Sequence, residues 1–193
     1  MEKNGLIHNC KLLIIGGSAG SLEVILLFLK DLKSNLSFPI LLVLHRKSSF
    51  DSALTHLIST RTTLPVQEAE EKEQLKAGNI YIAPADYHLL IEKQHTVSLD
   101  FSEKVHYSRP SIDITFQTAA EAYGASLVCI LLSGANEDGA AGLLAVKEAG
   151  GFVVIQDPLT AEVSYMPEQA LKVVKPDKLL KATELASFIN SIE

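Results

Sequence analysis

The run Leu12-Leu13-Ile14-Ile15 leads into Gly16-Gly17-Ser18-Ala19-Gly20, and that turn leads into the helical pattern Ser21-Leu22-Glu23-Val24-Ile25-Leu26-Leu27-Phe28-Leu29. A short, wholly apolar run of this kind reads as a buried strand over 12–15, followed by a helix over 22–32. Between them lies a tight turn of small residues in a G-x-S-x-G pattern. Glycines let the chain reverse sharply there. The Ser18 hydroxyl is then lifted above the strand end beside a helix N-terminus, which suits a nucleophile. Free N–H groups at the helix start suit an anion or an oxyanion. The plainer reading is a glycine-rich turn that holds a phosphate or nothing. A dinucleotide-binding G-x-G-x-x-G fails, because Ser18 and Ser21 stand where its second and third glycines belong, and no Gly-Lys-Ser/Thr is present.

The same alternation recurs along the chain. Residues 39–44, 127–132 and 152–155 read as further buried strands, and 51–60, 111–123, 138–149 and 183–192 as helices. Strand, helix and strand in succession predict an α/β fold: three αβα layers, doubly wound, around a mostly parallel sheet. The middle differs. Residues 79–83, 88–92 and 96–99 are short β-like segments between turn residues, expected to form an antiparallel hairpin insertion or sheet edge. The charged stretch 68–73 reads as a solvated loop. At 193 residues and 47% hydrophobic content, the expectation is one domain over 1–193 with one substantial core.

Charge and composition narrow the partners. The net charge is −6 and no basic cluster stands out, which argues against nucleic acid. No apolar run approaches the roughly 20 residues of a membrane span, so no membrane insertion is expected. No signal-peptide core follows the N-terminus. Cys10 and Cys129 make neither a disulfide scaffold nor a zinc site. A cytoplasmic enzyme or binding domain fits these features.

An activated serine needs a base, and the base an orienting acid. Sites in parallel α/β sheets collect at the carboxyl ends of strands. His45 directly follows the 39–44 strand; His8, His56, His88, His95 and His106 have no such placement. The third strand, 127–132, runs into Ser133-Gly134-Ala135-Asn136-Glu137-Asp138-Gly139-Ala140. Asp138 there is either an acid accepting from the Nδ1–H of His45 or the N-cap of its own helix. His45 is either a base or a polar strand-end residue. Ser18, His45 and Asp138 at three strand ends together favour catalysis over three coincidences.

These residues resemble the catalytic domain of the chemotaxis receptor methylesterase family, CheB. The resemblance spans about residues 12–170. It rests on Ile14-Ile15-Gly16-Gly17-Ser18-Ala19-Gly20, Val43-Leu44-His45, Gly78-Asn79-Ile80-Tyr81-Ile82-Ala83-Pro84, Arg109-Pro110-Ser111-Ile112-Asp113, Leu131-Leu132-Ser133-Gly134 with Glu137-Asp138-Gly139-Ala140-Ala141-Gly142, and Gln156-Asp157 with Met166-Pro167. It implies hydrolysis of glutamate methyl esters on the cytoplasmic helices of methyl-accepting chemotaxis receptors, with deamidation of receptor glutamines in some members. Ser18 falls on the nucleophile, His45 on the base and Asp138 on the acid. Backbone N–H groups near Ala19 and at Ala135 fall on the oxyanion site, and no metal or organic cofactor is needed. The family's usual N-terminal receiver domain has no counterpart here, which implies a stand-alone catalytic domain.

The chain also departs from the family pattern. Ala135 stands where methionine is common, Ser21 where a second glycine is common, and Arg46-Lys47 where Met-Pro is common. The two cations either attract an acidic receptor helix or are solvated. Arg109 either positions a substrate carboxylate or caps the following helix. The rival readings are a binding module of the same fold that has lost catalysis, and an esterase acting outside chemotaxis.

Overall fold

The computed structural model describes residues 7, 9–46 and 51–193. Residues 1–5, His8 and Lys47 of the sequence reading lie outside the described residues. In chain order the elements are β1 (Leu12–Gly17), α1 (Ser21–Leu29), β2 (Ile40–Leu44), α2 (Asp51–Ser59), β3 (Val66–Glu68), β4 (Ile80–Ile82), β5 (His88–Ile91), β6 (Val97–Asp100), α3 (Ile112–Tyr123), β7 (Leu127–Leu131), α4 (Ala140–Glu148), β8 (Phe152–Gln156), α5 (Tyr165–Val173), β9 (Lys178–Leu180) and α6 (Leu185–Asn190).

Seven strands form one sheet, all parallel, in the order β3-β4-β2-β1-β7-β8-β9. The central strands β1, β2 and β7 are buried at every residue, because both faces of the sheet are covered. Alternate side chains serve opposite layers. Leu13, Ile15, Leu42 and Ile130 join Ile25 and Phe28 of α1, Leu54 and Ile58 of α2, and Phe188 of α6. Leu12, Ile14, Val43 and Leu131 join Phe116 of α3, Leu143 of α4 and Met166 of α5. The antiparallel pair β5–β6 lies in this second layer, burying Leu89, Ile91 and Val97 there. The fold is therefore the expected three-layer α/β arrangement.

Two local expectations need correcting. Residues 79–83 do not belong to the hairpin; β4 pairs in parallel with both β2 and β3, since Ile80, Tyr81 and Ile82 are buried. The loop expected over 68–73 begins inside edge strand β3, and β9 closes the other edge. Both are three-residue strands with partly exposed side chains, too short and too polar to register as apolar runs. Helix α5 carries Pro167 within its first turn, where a missing N–H costs no intrahelical bond.

The sheet order reverses at β1: β2 lies on one side and β7 on the other. Such switch points open a crevice at the carboxyl ends of the strands. Gly17 stands in register with Leu44. The His45 N–H donates to the Gly17 carbonyl at 3.2 Å, and the Ser18 N–H to the Ser133 carbonyl at 2.9 Å. The turns after β1, β2 and β7 are thus hydrogen-bonded to one another.

Helices α3 and α4 approach closely beneath this crevice. A Cβ on Gly142 would lie 2.6 Å from the Phe116 Cβ and 3.0 Å from the Asp113 Cα. Gly142→Ala is expected to destabilise the protein by about 1–3 kcal/mol through overpacking, despite alanine's better helix propensity. Urea unfolding of the two proteins checks this.

Candidate active site

The turn after β1 is held from both sides. Gly20 has φ 78°, and a Cβ there would also lie 2.7 Å from the Glu162 Cβ. The Ser21 hydroxyl donates to the Ser18 carbonyl at 2.6 Å. The Ser133 hydroxyl donates to the Ala19 carbonyl at 2.7 Å. Serine at position 21 fits because Gly17 lacks a Cβ, which would lie 2.5 Å from the Ser21 Cβ. Ser18 is half-buried and opens onto a cavity of about 370 Å³ that it shares with His45, Leu22, Leu44, Leu54 and Leu57. Among the described residues, the Ser18 Oγ has no hydrogen-bond partner.

His45 and Asp138, 93 residues apart in sequence, meet at 2.7 Å between Nε2 and Oδ2. Sequence reasoning expected the acid at Nδ1; instead the carboxylate is pinned where only the far ring nitrogen reaches it. It is fully buried and lies across the N-terminus of α3. Oδ2 also accepts from the Ile112 N–H at 2.7 Å. Oδ1 accepts from the Asp113 N–H at 2.9 Å and from the Ser111 hydroxyl at 2.8 Å. Asp138 does not cap its own helix; α4 starts at Ala140 after Gly139. Asp113 completes the exchange, its Oδ1 accepting from the N–H groups of Gly139 at 2.9 Å and Gly142 at 2.6 Å. Each of the two helices therefore has its start capped by a carboxylate from the other segment.

These surroundings separate the two acids. Burial pushes Asp138 up, but the His45 hydrogen bond and the N–H groups of Asp113 and Ile112 outweigh it, and its carboxyl lies below the usual range. Asp113 is dominated by burial and by the nearby Asp138 charge, against the N–H groups of Gly142 and Gly139, and is raised to about 6. An ionised Asp138 only accepts. The Nε2 of neutral His45 therefore carries the proton, and its Nδ1 keeps a bare lone pair. The Ser108 Oγ lies 3.2 Å from that Nδ1.

The other expected residues have distinct placements. Ala19 and Ala135 are exposed. Among the described residues, neither N–H is hydrogen-bonded. Arg46 lines the cavity but is not solvated: its side chain is 7% exposed, with Nη2 donating to Glu68 and to the Ala83 carbonyl. Arg109 caps no helix. Its Nη1 donates to the carbonyls of Phe101 and Ser102, and its guanidinium lies 3.8 Å from the Phe101 ring centroid, which braces the segment after β6. Sequence reasoning weighed His106 and set it aside for want of a strand-end placement, and it assigned no role in the site to Ser108, Ser111 or Asp113. Ser111 was recognisable as the N-cap of α3; its bond to Asp138 was not. His106, Asp113 and Asp138 offer ligand atoms within 4.8 Å of one another, but the carboxylates are already engaged by the donors above.

A family model described as CheB methylesterase matches residues 13–189. A protein of Leptospira interrogans is 42% identical over 180 residues, covering 93% of each chain. The Thermotoga maritima protein-glutamate methylesterase/protein-glutamine glutaminase is 33% identical over 178 residues, which is 91% of this chain but 52% of that one. Against a crystal structure of the Thermotoga maritima CheB methylesterase catalytic domain the TM-score is 0.89 at 32% identity, covering 94% of this chain and 97% of that one.

The raised carboxyl of Asp113 has a signed consequence. Its folded value, about 6, lies above its ordinary value of 3.8. The folded state therefore holds the proton more tightly, and the stability this provides is lost as pH climbs from about 4 to about 6. Relative to Asp113→Asn, the wild type is expected to lose stability across that interval. Denaturant midpoints of both proteins at a series of pH values check the sign.

Proposed function

The chain belongs to the CheB methylesterase family, and from that premise we propose that it removes methyl groups from glutamate methyl esters on the cytoplasmic helices of methyl-accepting chemotaxis receptors. Ser18 is the nucleophile, His45 the base and Asp138 the acid that orients it. The observation carrying this reading is the 2.7 Å contact between His45 and Asp138, formed where the ends of β2, β1 and β7 bring Ser18 to the same cavity.

In this reaction the Nδ1 of His45 takes the Ser18 hydroxyl proton as Oγ bonds to the ester carbonyl carbon. Charge moves onto the carbonyl oxygen, which the unbonded N–H groups of Ala19 and Ala135 are available to hold. The tetrahedral adduct collapses, its C–O bond to the methoxy group breaks, and His45 returns the proton to the leaving oxygen as methanol departs. Water then repeats the relay on the glutamyl-serine ester and frees a glutamate carboxylate. Asp138, held ionised by its donors, stabilises the imidazolium at both stages. A backbone oxyanion donor does not need the methionine side chain that alanine replaces at position 135. The double name of the Thermotoga relative supports a second substrate, receptor glutamine, through the same acyl chemistry with ammonia leaving.

No helix among the described residues is long and apolar enough to cross a membrane. Methanol release from a methylated chemoreceptor cytoplasmic fragment tests the reading. Ser18→Ala is expected to slow it by roughly 10⁴- to 10⁶-fold. Absence of release from folded wild type would overturn the proposal, and binding of the same fragment without turnover would identify a binding module.

A further inference from the structure

One lone pair in the site faces two hydroxyls. The Nδ1 of neutral His45 has a single in-plane acceptor position, because Nε2–H is committed to Asp138. Ser18 must use that position to lose its proton. The structure places Ser108 there, with its Oγ 3.2 Å from Nδ1, while the Ser18 Oγ is without a partner among the described residues.

Ser108 is firmly presented. It closes a tight turn in which the Ser108 N–H donates to the Val105 carbonyl at 2.9 Å and the Val105 N–H to the Ser108 carbonyl at 3.2 Å. The two central residues, His106 and Tyr107, have φ of 47° and 62°, a left-handed conformation that costs a side-chain-bearing residue energy. The turn is tied to the loop after β7 by the Asn136 Nδ2, which donates to the His106 carbonyl at 3.2 Å. The His106 ring stands 3.4 Å from both Asp113 and Glu137. Ser108 also has a second acceptor for its one proton, the His106 carbonyl at 3.4 Å.

We propose that Ser108 is a positioning residue that competes with Ser18 for the lone pair of His45 and holds the base in a resting state. Its hydroxyl donates to Nδ1 until substrate is seated, then turns to the His106 carbonyl and releases the nitrogen to Ser18. This inference rests on the reading of His45 as the base for Ser18. It adds a residue that acts through the imidazole without touching the substrate.

The test combines a spectrum with a rate. In ¹⁵N-histidine-labelled protein, with the His45 signals assigned by their loss in His45→Gln, the Nδ1 resonance is expected to move towards a free acceptor in Ser108→Ala. It should stay in place in Ser18→Ala and in Ser108→Thr, which keeps a hydroxyl. Modification of Ser18 by a sulfonyl fluoride is expected to rise by roughly 2- to 10-fold in Ser108→Ala, the weight of one neutral hydrogen bond. Loss of a merely structural contact would not speed the reaction. A shift of Nδ1 in Ser18→Ala instead, or an unchanged or slower modification of Ser108→Ala, would overturn the proposal. Failure of the wild type to release methanol would overturn the methylesterase reading separately, since the resonance of Nδ1 reports on Ser108 without any turnover.

Discussion

The buried carboxylate of Asp138 is the point on which the rest of the site depends. A charge removed from water is tolerated only when its oxygens are satisfied. Here four donors do this: the Nε2 of His45, the N–H groups of Ile112 and Asp113, and the Ser111 hydroxyl. Three of the four come from the start of α3, whose dipole and free N–H groups favour an anion. The helix keeps the carboxylate ionised, and the ionised carboxylate sets which nitrogen of His45 carries the proton. One interaction thus joins helix capping, the tautomer of His45 and the orientation of its ring.

Asp113 makes the arrangement reciprocal. Its carboxyl caps α4 as Asp138 caps α3, and the close α3–α4 approach at Gly142 keeps the two acids near each other. Their environments still push them apart: Asp138 has the stronger set of donors and the histidine, whereas Asp113 has burial and a neighbouring negative charge. Separating two neighbouring carboxyls in this way leaves Asp138 charged beside His45 while Asp113 still holds its proton below about pH 6.

Much of the architecture was legible because it is written in local patterns. Continuous apolar runs marked β1, β2, β7 and β8, and the small-residue turn at Gly16–Gly20 marked the strand end that carries Ser18. The edges were not legible. Strands β3 and β9 are three residues long and partly exposed, so they lack an apolar signature and exist only because a neighbouring strand offers hydrogen bonds. The segment at β4 resembled the hairpin strands in length, and only its pairing with β2 and β3 assigns it to the parallel sheet. Arg46 and Arg109 show the same limit among side chains. Arg46 reads as solvated or substrate-facing, and Arg109 as substrate-facing or a helix cap, until Glu68, the Ala83 carbonyl or the Phe101 ring is known to lie beside it.

What the amino-acid order determined by itself was the strand–turn–helix unit around Ser18, the placement of His45 and Asp138 beyond strand ends, and the family these motifs resemble. Those depend on backbone preferences and hydrophobic spacing over a few residues. Tertiary structure alone decided that Asp138 caps α3 and not α4, that it meets Nε2 and not Nδ1, and that Ser108 stands at the Nδ1 of His45. These contacts join residues 93 and 63 positions apart for the two partners of His45. Their geometry follows from how sheet and helices stack, a property that no local stretch of sequence carries.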